Sequence, residues 1–521
     1  MIEPQENFLA VFYLSKPVYC QRLCDGGTIM SQISISHLTF NYENSCENIF
    51  ENVSFTIDTN WKLGFIGRNG RGKTTFLKLL MGHYDYSGVI AATVNFEYFP
   101  FEIDDPGQLT GNIVNTILDD VELWELHKEM SLLNLDPALL DRSYETLSQG
   151  EQTKILLAAL FLKPNQFLLI DEPANHLDLE GRLIISEYLN KKSGFILVSH
   201  DRSFLDGCVD HVLSINRMNI DIQKGNYSTW QLNKERQDQF ELDQNKKLKQ
   251  EISQLKTATK QTENWSQAVE KSKNGQRVSG LRPDRGHIGH QAAKMMKRSK
   301  SLEKRQHKSI QAKEKLLKNI DWADAIQVKP LSYKKDRLLS ANGLSLSYHQ
   351  RSIFENLSFE VNQGDRIAIV GKNGSGKSSL LKLLMGDPIA FEGDLNMGSQ
   401  LKISHVPQDT SYLAGALRNY SRSENIDESL FKTILRKLGF SRDQFEQDMK
   451  TFSEGQKKKV CLATSLCQSA HLYLWDEPLN YIDVLSRVQI EDLLLQTPPT
   501  MIFVEHDRSF INHVATKIIE L

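Results

Sequence analysis

One series of landmarks stands twice in this chain, in the same order and at nearly the same offset. The first glycine-rich loop is Gly67-Arg68-Asn69-Gly70-Arg71-Gly72-Lys73-Thr74, and the second is Gly371-Lys372-Asn373-Gly374-Ser375-Gly376-Lys377-Ser378. Lys73 and Lys377 lie 304 residues apart, Gly150 and Gly455 305, Glu172 and Glu477 305, and His200 and His506 306. A single loop of this kind is within the reach of composition. Four matched landmarks require a duplicated domain, and the segment between the copies must then say what the pair is for.

Each loop follows an apolar strand, Leu63–Ile66 or Ile367–Val370, and leads into a helical stretch. A loop of that form aims successive backbone N–H groups at phosphate oxygens, and the helix N-terminus adds a favourable dipole. Glycines Gly67, Gly70, Gly72, Gly371, Gly374 and Gly376 let the backbone bend tightly and approach closely. Lys73 and Lys377 would bind β- and γ-phosphates, and Thr74 and Ser378 would hold Mg²⁺. Downstream, an apolar strand ends in two acids, Asp171-Glu172 in the first copy and Asp476-Glu477 in the second. The first acid of each pair suits a metal shell, and the second can orient an attacking water. Phosphoryl transfer is mostly positioning and charge stabilisation, so this set is sufficient in kind. His200 and His506 follow the next strand, each in a His-Asp-Arg triplet, and their recurrence favours a contact to the γ-phosphate. Ser148-Gln149-Gly150 and Ser453-Glu454-Gly455 each open a helix and offer a second anion site.

Strands alternating with helices predict an α/β fold, a mainly parallel sheet covered by helices in each copy. The expected organisation is a leader at 1–29, disordered or a non-native start ahead of Met30; a first domain at 31–224 with a helical insertion at about 102–146; a connector at 225–330; and a second domain at 338–521. The connector decides the class of partner. Residues 231–320 hold 22 Lys+Arg against 10 Asp+Glu, a balance of +12 in a chain whose net charge is −3. The remainder is therefore at −15. A basic connector between acidic bodies points to a polyanionic partner. Tyr227 to about Trp265 is almost free of Gly and Pro and predicts a long helix, with Leu248, Ile252 and Leu255 along one seam. A second helix fits His290–Ile320, and the glycines between 266 and 289 mark a tip. The pair reads as an antiparallel hairpin, roughly 45–55 Å long. Lys294, Lys297, Arg298 and Lys300 are the candidate contacts to RNA phosphates.

No run approaches the roughly 18 apolar residues that a membrane span needs. Six scattered cysteines, none in a paired array, argue against zinc and for a reduced cytoplasmic setting.

On these motifs the chain resembles ABC ATPases of the F subfamily: two cassettes in one polypeptide, no membrane domain, and an interdomain helical hairpin. Gly225-Asn226-Tyr227-Ser228 resembles the start of that subfamily's linker. Asn60-Trp61-Lys62-Leu63-Gly64, the loop to Thr75, and Trp475-Asp476-Glu477-Pro478-Leu479-Asn480-Tyr481 are similar to the Lsa-type resistance members. The resemblance implies a monomer with two head-to-tail ATP sites. One would join Tyr42 (stacking on adenine), Gly67–Thr75 with Asn69, Asp171, Glu172 and His200 to Ser453 and Gly455. The other would join Tyr348, Gly371–Ser379 with Asn373, Gln408, Asp476, Glu477 and His506 to Ser148 and Gly150. Asp178 and Asp483 match the loop that crosses between sites. Gln408 would join the Mg²⁺ shell. The resemblance further implies an ATP-bound form seated in the exit site of the bacterial ribosome. There the hairpin would meet large-subunit rRNA and P-site tRNA and dislodge lincosamides, pleuromutilins or streptogramin A, and hydrolysis would release the protein. No DNA partner is expected. Alternatives are a housekeeping translation factor and the energising subunit of an exporter.

Two departures stand out. Gln149 and Glu454 replace the first glycine of the usual Ser-Gly-Gly signature. The loop expected to carry glutamine reads Pro407-Gln408 in the second copy but Pro100-Phe101 in the first. Phenylalanine can neither ligate Mg²⁺ nor orient water, so the two sites are expected to be unequal, with the Phe101 site slower.

Overall fold

The computed structural model describes residues 18–19, 32–42, 48–118, 122–175, 177–215, 220–272, 294, 297, 300, 301, 304, 330–348 and 351–521. Contacts divide the chain into two compact units, Met1–Trp230 with Ala325–Leu521, and Gln231–Asp324.

The first unit holds both copies of the motif series. In the first copy a six-stranded sheet has the order Ile220–Lys224, His211–Ile215, Lys62–Ile66, Phe195–Val198, Gln166–Asp171, Asn95–Phe99. All its pairings are parallel except that of Ile220–Lys224 with His211–Ile215. Strands covered on both faces must be apolar throughout, and Phe167–Ile170 and Phe195–Val198 are buried without a break. A second, mainly antiparallel sheet is built on Gln32–Phe40 between Phe50–Asp58 and Ser87–Ala92. Here the sequence alternates: Ile33 and Ile35 are buried, Ser34 and Ser36 less so. One core lies between these sheets and takes in Phe65, Phe76 and Phe167. Another lies on the far face, beneath the helices Thr110–Ile117, Leu123–Leu132, Gln149–Leu162 and Leu179–Asn190. Within the leader, Val18–Tyr19 pair in parallel with Ala91 and Ala92.

The second copy repeats the plan with a five-stranded, fully parallel sheet: Ile403–Val406, Leu472–Asp476, Met501–Val504, Arg366–Val370, Lys517–Glu520. Arg337–Tyr348, Arg351–Asn362 and Phe391–Met397 form its antiparallel sheet. In both copies the loop-bearing strand sits inside the sheet, and its carboxyl end opens on the crevice where ligands of such sheets bind.

The connector begins as one helix, Tyr227–Ser272, of 46 residues. At 1.5 Å per residue it is about 69 Å long, longer than the 45–55 Å expected, because the polar run continues past Trp265 without a helix breaker until Gly275. Residues 294, 297, 300, 301 and 304 are also helical. Of the tip expected at 266–289, residues 266–272 instead continue the helix, and 273–289 lie outside the described residues, as do the side chains of Leu248, Ile252 and Leu255.

Candidate active site

Both loops wrap their lysines. Lys73 Nζ donates to Gly67 O at 2.7 Å and to Asn69 Oδ1 at 3.3 Å. Lys377 Nζ donates to Gly371 O and Lys372 O, both at 2.8 Å. Gly72 and Gly376 cap the following helices with φ of 90° and 95°. A Cβ at Gly72 would meet Ile49 Cγ2 at 2.5 Å, so glycine is required by space as well as by conformation. Burial lowers the pKa of Lys73 and, less completely enclosed, of Lys377.

The hydroxyl of Thr74 donates to Asp171 Oδ2 at 2.9 Å, and Tyr98 donates to the same oxygen at 3.0 Å. Ser378 likewise bonds Asp476. Burial raises both aspartates. Glu172 and Glu477 have positive φ, 52° and 46°. Such backbone costs of order 1–3 kcal/mol in a non-glycine residue, and it persists only where the surroundings enforce it. Its recurrence aims both carboxylates off the ends of their strands, and nothing in the sequence announces it. His200 Nε2 lies 3.2 Å from Glu172 Oε1, and His506 Nε2 lies 3.6 Å from Glu477 Oε1.

The two acids differ electrostatically. Burial, reinforced by Asp171, pushes Glu172 up to about 8. Burial also pushes Glu477 upward, but His506, Gln408 and Lys458 outweigh it and leave this carboxyl below the ordinary range. Burial, with Lys73 and Arg487, holds His200 well below the usual histidine range. Phe101 is turned away from chemistry: it rests on the far-face core, and Lys163 Nζ stands 6.0 Å from its ring.

Each loop faces the opposite copy. Asn69 Nδ2 donates to Tyr481 O at 2.7 Å. A Cβ on Gly455 would lie 2.4 Å from Tyr481 O of the same domain and 3.2 Å from Asn69 Nδ2 of the first loop, so glycine leaves room for both. At the other site, Gln149, Leu177 and Arg182 from the first copy close a cavity of about 400 Å³ with Asn373, Gly374, Gly376, Lys377, Ser378, Ser379, Gln408, Glu477, Asn480 and His506. Ser148 and Gly150 flank Gln149 but do not line that cavity. Both signature serines are committed to capping boxes, Ser148 with Glu151 and Ser453 with Gln456. Asp178 and Asp483 cap the next helices, and Asp483 also accepts from Lys459 Nζ at 2.8 Å.

Tyr42 is partly exposed, edge-on to Phe40 and Tyr84, and its hydroxyl bonds Thr75 Oγ1 at 2.8 Å. The Tyr348 side chain lies outside the described residues, as does Arg298; Lys294, Lys297 and Lys300 are exposed.

Sequence reasoning overlooked the pair Arg182 and Arg487. Arg182 bonds Asp201 at 2.6 Å and the carbonyl of His506, across the interface, at 3.2 Å; Arg487 bonds Asp507 at 3.0 Å. Their separation of 305 residues was the available signal.

The residues present fit a phosphate-bound cation. Asp476 Oδ1 is buried without a hydrogen-bond partner, the condition of an acceptor awaiting a ligand. Mg²⁺, held by Thr74 and Asp171 or by Ser378, Asp476 and Gln408, would neutralise charge on the β- and γ-phosphates. The chain itself supplies the glycine-rich loop, the lysine, and an acid one residue beyond the aspartate that bonds Thr74 or Ser378.

A family model described as ABC transporter matches residues 50–175 and 354–480. This chain carries two ABC ATPase domains. It is 27% identical over 543 residues to the putative ATP-binding protein YdiF of Bacillus subtilis, covering 91% of this chain and 78% of that one. It is 27% identical over 496 residues to the ribosome protection protein VmlR of the same organism, covering 90% and 83%. Among solved structures, the archaeal ribosome recycling factor aABCE1, in complex with the ribosomal stalk protein aP1, superposes with a TM-score of 0.61 at 18% identity, covering 93% of this chain and 87% of that one. The fold is thus that of a tandem ABC nucleotide-binding protein, and the activity is hydrolysis of ATP. Among the described residues no helix is long and apolar enough to cross a membrane.

Proposed function

We propose that this tandem ABC ATPase is an F-subfamily protein that acts in the cytoplasm on the bacterial ribosome. With ATP at both sites it binds the exit site; hydrolysis releases it. Its basic helical connector contacts large-subunit rRNA and the P-site tRNA, and the binding dislodges antibiotics from the peptidyl-transferase centre, as in Lsa-type resistance. The observation that carries this reading is the 46-residue helix that leads out of the first ATPase domain into a strongly basic segment. An exporter subunit has no use for such an element. The similarity to a protein named for ribosome protection supports the same partner.

Two outcomes separate resistance from a housekeeping role in elongation. Expression in a susceptible host should raise the inhibitory concentrations of lincosamides, pleuromutilins or streptogramin A; unchanged values, with ribosome binding intact, would favour the translation factor. Replacing Lys294, Lys297 and Lys300 by Gln should weaken ribosome binding and flatten its salt dependence, by a slope of about 0.7–0.9 per lost phosphate contact.

A further inference from the structure

The helix Glu454–Cys467 of the second ATPase domain touches two sites at once. Its first turn carries Gly455, which sits against Asn69 and Tyr481 at the first loop. One turn on, Lys458 is 3% exposed, and its ammonium donates to Pro407 O at 2.8 Å, Gln408 O at 3.3 Å and Asp476 O at 3.0 Å. Three carbonyls thus meet the three protons a lysine can give. They belong to the Gln408 loop and to the residue before Glu477. A second tie runs alongside: Thr410 Oγ1 donates to Glu454 Oε2 at 2.9 Å, using the residue that replaces the usual signature glycine.

The first domain lacks both ties. Five residues beyond Ser148 stands Thr153, where five beyond Ser453 stands Lys458; three beyond Pro100 stands Ile103, where three beyond Pro407 stands Thr410. A threonine at 153 is too short to span to the loop and cannot carry an ammonium, and Ile103 rests on the far-face core.

We propose that Lys458 is a positioning residue that fastens the second signature helix to the Gln408 loop and the Glu477 strand end, so that nucleotide at the first site sets the catalytic geometry of the second, with no equivalent coupling in reverse. A phosphate docked between the first loop and Ser453–Gly455 fixes the helix N-terminus. Lys458 and Glu454 pass that constraint to Gln408, whose carboxamide faces Glu477. A buried lysine held on three carbonyls costs desolvation unless all three bonds form together. The helix and loop therefore move as one body. The inference rests on the two-site reading above.

A double-mutant cycle on the full chain tests it. Site-two turnover is read in an E172Q background, with Lys73→Ala to remove nucleotide at the first site and Lys458→Thr to cut the tie. K458T should lower kcat about tenfold or more through misplacement of Gln408, with little change in KM for ATP. K73A should then add little, and Lys458→Arg should restore most of the rate. In an E477Q background, which reads the first site, K458T should change kcat by less than about twofold. Additive effects of K73A and K458T, or equal losses in both backgrounds, would overturn the coupling. Should K458T fail to fold, Thr410→Val removes the other tie and must show the same non-additivity. Fewer than two nucleotides trapped per E172Q/E477Q chain would overturn the two-site reading and the coupling with it; two nucleotides with an additive cycle would overturn the coupling alone.

Discussion

Arg202 and Glu491 join the two ATPase domains through a buried ion pair, Nη2 to Oε2 at 2.5 Å, with side chains 6% and 7% exposed. Replacing Arg202 by Met strands a carboxylate in the interface. Breaking a buried pair from one side costs about 3–5 kcal/mol. Here the other oxygen of Glu491 keeps His513 Nδ1 at 2.5 Å, on an imidazole that is 58% exposed. That partner should bring the R202M cost to the lower end, about 3 kcal/mol. Glu491→Met leaves a guanidinium whose Nε already has no partner, so it should cost at least as much. Arg202→Met with Glu491→Met removes both charges while Asp507 keeps Arg487 at 3.0 Å, and it should cost no more than about 1 kcal/mol, since well-filled apolar replacements of buried pairs are often neutral. The coupling energy is then at least about 5 kcal/mol, more than a thousandfold in an equilibrium constant. Urea unfolding followed by tryptophan fluorescence measures it from the four midpoints and slopes. A coupling below about 0.5 kcal/mol, the range of independent sites, would show that the pair does not hold the domains together. No counterpart exists on the other side, where Arg508 is exposed and Ser186 stands 305 residues before Glu491.

Three further outcomes are expected. Glu477→Gln should abolish most steady-state ATP turnover and Glu172→Gln much less, since Gln408 serves only the Glu477 site; equal fractional losses would refute unequal sites. Gly455→Ala places a methyl 2.4 Å from Tyr481 O of its own domain, the carbonyl that accepts from Asn69, and displacing that acceptor should weaken nucleotide trapping at the first site by about 1–3 kcal/mol; unchanged affinity would show that the Tyr481 loop yields without disturbing Asn69. Burial works to raise the Asp507 carboxyl, but Arg487 and Arg202 outweigh it and hold it below its ordinary value. Its stabilising contribution is therefore complete above about pH 4 and is lost as pH falls through the lower, folded value. Asp507→Asn should cost stability at pH 7 and progressively less as pH falls below about 4; a pH-independent loss would contradict this.

The repeat made most of this legible. Landmarks at an offset of 304–306 located both loops, both acid pairs and both histidines, and alternating strands and helices gave the layered α/β plan. The pairing of each loop with the opposite domain came from resemblance, since no local pattern dictates which surfaces meet. What stayed hidden depends on tertiary contact. Positive φ at Glu172 and Glu477 is imposed by the surroundings. Lys458 looks like one basic residue in a Lys-Lys-Lys run, and only folding distinguishes its carbonyl cage from Lys459 on Asp483. The serines at 148 and 453 read as anion ligands, yet Ser-x-x-Glu and Ser-x-x-Gln were also capping-box signatures, and that use prevails. The connector helix outran its expected length because polar, Gly-free sequence sets no stop.

The central claim is that ATP at both sites commits this chain to the ribosome. Co-sedimentation of the E172Q/E477Q variant with bacterial ribosomes, with ATP and without nucleotide, tests it most directly. The account predicts stoichiometric, salt-sensitive binding that requires ATP; binding that is absent, or the same without nucleotide, would contradict it.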